Sequence, residues 1–327
     1  MTKGRQIVLQ MLFDNKALIL VILLAVFLSV MSPFFFTLNN MLNLIKQACV
    51  LSILGIGYTL LLSSGTMDLS VGNLMALTGV CMAIFDAKLG WPAPAVIIGG
   101  LAIGIGGLML NTFFAELFKI NNFILTLAMS MVYKGLLWVI AGGQAVSGIS
   151  DWAKFLGQGK ILGLPTQLFL LLGLFVFMTI LLTRTKFGRH ALAMGGNPKA
   201  ADVCGINTKR IRYSIAIIMG VAVTMAALVT NGRSASAQLN AGVDSAMDTI
   251  AAVIIGGTPM SGGIANVPGT LIGSILIQMI ANALNLMDIN SNWHQVAKGI
   301  IIIIAVVLDV QGTRIINKAR VKSQSLS

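Results

Sequence analysis

Residues 184–212 read RTKFGRHALAMGGNPKAADVCGINTKRIR, a basic and polar segment between two apolar runs at 164–183 and 211–231. Each flanking run has about the 20 residues that an α-helix needs to cross the ~30 Å hydrocarbon core of a bilayer. A segment with this much charge does not belong in lipid, so we expect it to form a loop outside the membrane. We interpret this loop as the docking site of a soluble partner.

The composition of the whole chain is typical of a membrane protein. Hydrophobic residues make up 57% of the 327 residues, charged residues only 10%, and the mean hydropathy is +0.91. Soluble domains carry about 25% charged residues. The apolar runs are continuous and lack the alternation of barrel strands. The sequence therefore predicts an all-α fold, a polytopic membrane helical bundle.

Ten apolar runs are candidates for membrane crossings. They cover residues 17–36, 43–63, 71–87, 95–118, 122–142, 164–183, 211–231, 245–257, 268–287 and 293–311. The eighth run is short and flanked by polar residues, so we predict a half-helix there. We treat 1–327 as a single transmembrane domain, with the loop 184–212 and the tail 312–327 on the same side as the N-terminus.

The net charge of +12 is divided unevenly between the two predicted sides. The side that holds the termini and the loop receives most of the lysines and arginines. The other side keeps only Lys46, Lys88, Lys154, Lys160 and Arg233. By the positive-inside rule, both termini and the loop are cytoplasmic. Membrane topology accounts for the positive charge, so we expect no nucleic-acid partner.

Two breaks rich in small and polar residues separate neighbouring runs, one in each half of the chain. They are SSGTMDLS at 63–70 and GGTPMSGG at 256–263. Paired breaks of this kind are typical of transporters built from structural repeats. With five runs in each half, we predict an inverted repeat of two five-helix halves. Asp68 and Ser70 are typical of the start of a helix.

Ionisable residues within the runs are functional candidates because charge is costly in lipid. Lys134 lies mid-way along the fifth run and Lys298 lies early in the tenth. Asp244 and Asp248, four residues apart, share one helix face at the start of the eighth run. These aspartates either cap the positive end of that helix or pair with a lysine, and the lysines alternatively snorkel to the interface. We expect structural or ionic roles for all four and for Asp68.

Uncharged hydrogen-bonding side chains also lie inside the runs. Such groups suit the passage of a neutral hydroxylated solute, although they also link membrane helices. We predict a solute pathway lined by Asn73, Asn111, Ser130 and Asn282. Only ten residues of the chain are acidic, which argues against coupling to protons or sodium.

The sequence carries no pattern for catalysis, a metal or a nucleotide. The two histidines, His190 and His294, belong to no zinc-protease motif, and no phosphate-binding GxxxxGK[ST] loop is present. The three cysteines lack the spacing of metal ligands. We therefore expect that the chain is not an enzyme and binds no cofactor itself. If ATP drives it, another chain must bind the ATP.

Within the loop, Asn197 and Pro198 predict a turn, and residues 199–204 predict a short helix that ends at Gly205. We expect this helix to lie outside the membrane. Its small face, formed by Ala200 and Ala201, would seat in a groove of a partner.

These loop residues resemble a known element. Ala200-Ala201 and Gly205 resemble the AA-xxx-G part of the EAA loop of bacterial ABC importer permeases, and FGRHALAMGGNPKAADVCGI resembles that loop in the ribose-type sugar permeases. Three further segments resemble motifs of the same family, in the same order: LSSGTMDLSVGNLMALTG, NNFILTLAMSMVYKGL and DTIAAVIIGGTPMSGGIANVPGTLIGSILI. Together they extend over most of 35–310, within the branched-chain amino acid and sugar permease superfamily.

The resemblance implies a permease subunit of an ABC importer in the bacterial inner membrane, which passes a neutral sugar or sugar-like solute. It implies three partners: an ABC ATPase that uses ATP-Mg, a second permease subunit, identical or paralogous, and a periplasmic solute-binding protein, with membrane lipid around the bundle. It assigns ATPase coupling to Gly188, Arg189, Gly195, Asn197, Lys199, Ala200, Ala201 and Gly205.

The sequence departs from the family pattern at several places. Lys199 stands where an acidic residue often opens the EAA element, and Asn122, Ile264 and Asn266 are also unusual. Ribose is therefore not assumed as the solute. The alternative function is an autonomous secondary carrier of a small polar solute, driven by an ion gradient.

Overall fold

A computed structural model describes residues 16–243, 245–290, 293, 295–297, 299, 300 and 303. Four predicted features fall wholly or mostly outside these residues. They are Asp244, Lys298, the tail 312–327 and the tenth run, 293–311.

The described part of the chain is built almost entirely from helices. They are α1 (Lys16–Met31), α2 (Leu38–Ser63), α3 (Val71–Ala83), α4 (Ala93–Phe118), α5 (Asn122–Ala141), α6 (Asp151–Gln158), α7 (Thr166–Arg184), α8 (Lys186–Gly196), α9 (Pro198–Val203), α10 (Thr208–Ser234), α11 (Ser245–Ile255) and α12 (Val267–Leu286). A π-helical turn, Ile84–Lys88, extends α3.

Short strands connect some of these helices. They are β1 (Val146–Ser147), β2 (Lys160–Ile161), β3 (Leu164–Pro165) and β4 (Ser236–Ala237). β1 pairs antiparallel with β4, and β2 pairs antiparallel with β3. The first pair joins the segment after α5 to the segment after α10.

Seven of the described helices are long and apolar enough to cross a membrane. They are α2, α3 with its π-helical turn, α4, α5, α7, α10 and α12. α1 and α11 are apolar but shorter, and the 11 residues of α11 agree with the half-helix predicted for the eighth run. The all-α polytopic membrane fold is confirmed, whereas the count of ten crossings and the inverted repeat stay predictions.

The structure differs from the sequence prediction in the end of the first helix and in the number of helices in the loop. The first run was predicted to continue to residue 36, but α1 ends at Met31 and residues 33–36 form a turn. Pro33 explains this end, because proline lacks a backbone N–H and disfavours helical backbone at the residue before it. In the loop, one short helix was predicted, but the chain forms two, α8 and α9.

α2, α3, α10 and α12 are the most buried of the membrane helices. Their most apolar parts are 78%, 72%, 61% and 61% buried, against 22% for both α4 and α5. α10 packs against α4, α2, α6 and α3, and α2 also packs against α12, α7 and α11. Since α4 and α5 expose most of their apolar surface, these two helices face lipid or a neighbouring chain.

Candidate functional site

The loop between α7 and α10 is a compact pair of capped helices. Thr185 Oγ1 accepts a 3.1 Å hydrogen bond from the Gly188 N–H at the start of α8. Asn197 Oδ1 accepts one of 3.1 Å from the Ala200 N–H at the start of α9, where Pro198 is the first residue. These side chains satisfy N–H groups that have no partner within the helix. We call residues 186–205 the α8–α9 loop.

The end of α9 confirms the predicted glycine stop. Gly205 has a φ of +79°, in the left-handed region that glycine adopts without a steric penalty. Its N–H donates to the Asp202 carbonyl over 2.9 Å, and the Ile206 N–H donates to the Ala201 carbonyl over 3.0 Å. These two bonds form a Schellman motif, which satisfies the last carbonyls of the helix.

The surface of α9 differs from the predicted small face. Ala201 is buried in the main hydrophobic core, whereas Lys199, Ala200 and Val203 are exposed, Val203 to 89%. The two alanines therefore do not form one free face, because α9 packs on α8 and α10 through Ala201. The surface open to a partner is formed by Pro198, Lys199, Ala200, Asp202 and Val203.

α8 is held tightly against the end of α7. A side chain at Gly188 would collide with the backbone of Leu181 and Leu182, so glycine is required where the chain turns from α7 into α8. Arg189 and Asn197 are exposed on the surface of the loop.

Gly195, near the end of α8, lies against both of the breaks identified in the sequence. A Cβ atom at Gly195 would collide with the Ser63 carbonyl oxygen and lie 2.8 Å from the Gly263 nitrogen. A Cβ atom at Gly262 would lie 2.7 Å from the Gly195 carbonyl oxygen. The Gly263 N–H donates a 2.8 Å hydrogen bond to the Ser63 carbonyl. We call Ser63, Gly195, Gly262 and Gly263 the glycine junction.

A buried polar network holds the start of α3. Asp68 Oδ1 accepts hydrogen bonds from the Ser70 N–H (2.7 Å) and the Ser70 hydroxyl (2.6 Å). The Asn111 amide donates to Asp68 Oδ2 over 2.9 Å, and the Tyr133 hydroxyl donates to Asn111 Oδ1 over 2.7 Å. The network joins α3, α4 and α5, and it lies beside a 40 Å³ cavity whose lining includes Glu116 and Arg212, an ion pair at 2.7 Å.

The structure does not bring the four predicted pathway residues to one place. The Asn73 amide donates a 2.8 Å hydrogen bond to the Ser130 hydroxyl, which joins α3 to α5. Asn111 belongs to the Asp68 network. Asn282 lies apart, where its amide exchanges hydrogen bonds of 2.7 and 3.1 Å with Asn40 on α2. Each residue therefore links helices, a role that polar groups in membrane helices commonly have.

Of the predicted ionic residues, the structure places Lys134 and Asp248 very differently. Lys134 is exposed on the surface of α5, between Met131 and Leu136, and makes no ion pair among the described residues. Asp248 is buried in the first turn of α11.

A second cavity, of 110 Å³, was missed by sequence reasoning except for Asp248. Its polar lining comes from Gln47, Thr230, Arg233, Ser245, Asp248 and Gln278. These residues belong to four helices, α2, α10, α11 and α12, and are spread over more than 200 positions. No local spacing in the sequence could have signalled that they meet. We call this space the polar cavity.

The whole region that contains the junction and both cavities matches one protein family. The model of that family, described as the branched-chain amino acid transport system / permease component, matches residues 40–306. The chain belongs to this family. The permease is a multi-pass membrane transport protein, and the resemblance carried by its motifs is confirmed.

Individual relatives match the permease over nearly their whole length. The ribose import permease protein RbsC of Haemophilus influenzae is 35% identical, with 91% of this chain and 93% of the relative covered. RbsC of Bacillus subtilis is 36% identical, with 88% and 89% covered. The xylose transport system permease protein XylH of Escherichia coli is 30% identical, with 83% and 84% covered.

Proposed function

We propose that this permease forms the membrane path of an ABC importer for a neutral sugar or sugar-like solute and that a separate ATPase subunit drives it through the α8–α9 loop. The relatives named for ribose and xylose support the solute class. The charge distribution supports a cytoplasmic loop and cytoplasmic termini. The ATP-Mg is bound and hydrolysed by the ATPase, and this chain is the non-catalytic subunit.

The glycine junction is the observation that carries this proposal. The exposed surface of the loop, which includes Arg189, Lys199 and Val203, is available to the ATPase. A few residues away, Gly195 contacts the end of α2 and the turn after α11 through backbone atoms. A displacement of the loop is therefore transmitted to two membrane helices through backbone contacts, without intervening flexible side chains.

The junction suggests how ATP changes the shape of the bundle. Close-packed interiors transmit displacement because they are not readily compressed. When the ATPases close on ATP, the loop moves, and the ends of α2 and α11 move with it. ATP binding thus shifts the population between inward-facing and outward-facing states, provided that the ATPase binds one of them more tightly.

The remaining partners follow from the family and the exposed surfaces. A second permease subunit, identical or paralogous, packs against exposed apolar surface such as that of α4 and α5, and lipid covers the rest. A solute-binding protein docks at the periplasmic ends of the helices, opposite the loop. The solute-binding protein then selects the solute before it reaches the membrane path.

Reconstitution tests this function against the alternative of an ion-driven carrier. The permease is placed in proteoliposomes with and without the ATPase and the solute-binding protein, and uptake of a panel of radiolabelled pentoses and hexoses is measured. We expect uptake only with both partners and ATP. Uptake by the permease alone under a proton or sodium gradient would establish the secondary carrier instead.

A further inference from the structure

We propose that the polar cavity binds the hydroxylated solute directly, so that this chain contains a solute site of its own. The inference rests on the proposed function for the direction of transport and for the solute class. The position and the lining of the polar cavity are taken from the described residues alone.

The polar cavity lies at the end of the bundle opposite the α8–α9 loop. Gln47 precedes Ser63 by 16 residues on α2, which corresponds to about 24 Å of helix. Thr230 follows Thr208 by 22 residues on α10, which corresponds to about 33 Å. Because Ser63 contacts the loop and Thr208 follows it, the cavity faces the side from which an importer receives its solute.

The lining presents polar groups that have no partner among the residues that the structure describes. The side chains of Gln47, Arg233 and Gln278 form no hydrogen bond to any residue that the structure describes. Unpaired amides and guanidinium groups are costly in a largely apolar bundle. Since no described residue pairs with them, water or a polar solute in the cavity would satisfy them.

The chemistry of these groups fits a neutral polyhydroxylated solute. Each glutamine amide both donates and accepts hydrogen bonds, as each hydroxyl of a sugar does. Arg233 adds donors and Asp248 adds acceptors, and among the described lining residues these two formal charges are equal and opposite. Its volume of 110 Å³ exceeds the roughly 10–15 Å³ that one water needs on this measure, and it can hold a small solute or a few waters.

The polar cavity is also connected to the glycine junction through a short element. Asp248 lies in the first turn of α11, and α11 ends at Ile255, seven residues before Gly262 in the segment that leads to the glycine junction. A displacement of this segment therefore moves Asp248 relative to Gln47 on α2. In this way one helix of 11 residues links the solute site to the α8–α9 loop.

Solute protection of an introduced cysteine tests the site. Ser245→Cys is made in a Cys204→Ser background and treated in proteoliposomes with a membrane-impermeant maleimide. The added probe is the pentose or hexose that the wild-type complex takes up fastest. We expect this sugar to slow labelling of the introduced cysteine about tenfold, and we expect no effect on Gln144→Cys, an exposed outer-loop control that does not line the cavity.

Substitution of the lining provides an independent measurement. Glutamine and leucine are similar in volume, so Gln278→Leu removes the hydrogen bonds without opening a larger cavity. Loss of one or two such bonds should weaken sugar protection of the Ser245→Cys thiol about threefold to tenfold. Gln144→Leu should leave it unchanged.

The two proposals fail in different ways. If the wild-type complex takes up none of the sugars with ATP, the proposed function is wrong. The assignment of a sugar as the solute of the cavity is then also wrong. If the complex takes up a sugar but that sugar does not protect the Ser245→Cys thiol, or the thiol never reacts, only the solute site is wrong. Unchanged protection in Gln278→Leu would also contradict the site.

Discussion

The backbone N–H of Gly263 donates a 2.8 Å hydrogen bond to the carbonyl oxygen of Ser63, which ties the turn after α11 to the end of α2. The two residues are 200 positions apart, one in each of the two sequence breaks. Gly195 of the α8–α9 loop lies against both of them. The part of the chain predicted to dock an ATPase is thus in direct contact with the turns that the sequence marks as interruptions.

Replacement of Gly205 by valine should separate ATP hydrolysis from solute uptake. Gly205 has a φ of +79°, and a β-branched residue held there costs on the order of 1–3 kcal/mol. This cost falls on the short helix α9 and should distort its exposed surface while the bundle stays folded. Uptake per ATP hydrolysed should fall severalfold in proteoliposomes.

Gly205→Asn is the matched control, because asparagine tolerates left-handed backbone better than other non-glycine residues. We expect its transport to stay close to that of the wild type. Normal uptake and normal ATPase stimulation in Gly205→Val would exclude a role of the end of α9 in coupling.

Replacement of Asn111 by leucine should lower the stability of the fold, because Asn111 belongs to the buried Asp68 network. Asn111 donates to the buried Asp68 carboxylate and accepts from Tyr133. Removing it deprives the buried Asp68 Oδ2 of its donor, at a cost of about 2–3 kcal/mol, whereas the Tyr133 hydroxyl keeps the Gly107 carbonyl as an acceptor. The midpoint of thermal unfolding in detergent, followed by circular dichroism, should fall by several degrees.

Thr112→Val is the control next in sequence. Among the described residues, the Thr112 hydroxyl bonds to the Leu108 carbonyl of its own helix alone, so a change within about 0.5 kcal/mol is expected. Equal midpoints for Asn111→Leu and Thr112→Val would show that the Asp68 network does not stabilise the fold.

A double-mutant cycle at Asn40 and Asn282 decides between two roles for Asn282. Hydrogen bonds between membrane helices contribute about 0.6 kcal/mol on average, with a maximum near 1.7 kcal/mol. For the two bonds of this pair we expect a coupling energy of about 1 kcal/mol between Asn40→Ala and Asn282→Ala. Uptake per folded protein should stay unchanged in Asn282→Ala. A collapse of uptake without a loss of stability would instead support the predicted pathway role.

Lys134 offers a test of which surface faces lipid. The residue is exposed on α5 among apolar side chains, and a lysine at the centre of a membrane helix costs about 2.5–3.5 kcal/mol on insertion scales. If α5 faces lipid at this point, Lys134→Leu should raise the unfolding midpoint and preserve uptake. A loss of uptake or of dimers, measured by light scattering, would show that Lys134 pairs with a neighbouring subunit.

The membrane fold could be predicted because its signals are local. Apolar length identified the membrane helices α2, α3, α4, α5, α7, α10, α11 and α12, and the capping residues Asn197 and Gly205 identified α9. The helix α8 was missed because Gly188, Gly195 and Gly196 lower its intrinsic helix propensity. Packing against the end of α7 and the glycine junction stabilises α8, and neither contact is visible in the sequence of the loop.

The site was harder to predict than the fold. Polar residues such as Asn111 and Asn282 were identified as unusual in apolar helices, but their spacing does not say whether they line a path or link helices. Their partners, Asp68 and Asn40, lie up to 242 positions away. The polar cavity could not be predicted for the same reason, since Gln47 and Gln278 come from opposite halves of the chain.

The amount of solute imported per ATP hydrolysed, compared between Gly195→Ala and Gly196→Ala, tests the coupling role of the glycine junction most directly. A methyl group at Gly195 collides with the Ser63 backbone, whereas one at the neighbouring Gly196 meets only the Gly263 Cα, at 4.0 Å. With both variants assembled with the ATPase in equal amounts, we predict at least a tenfold loss of coupling in Gly195→Ala and near-normal coupling in Gly196→Ala. Equal, wild-type coupling in both would contradict transmission through the junction.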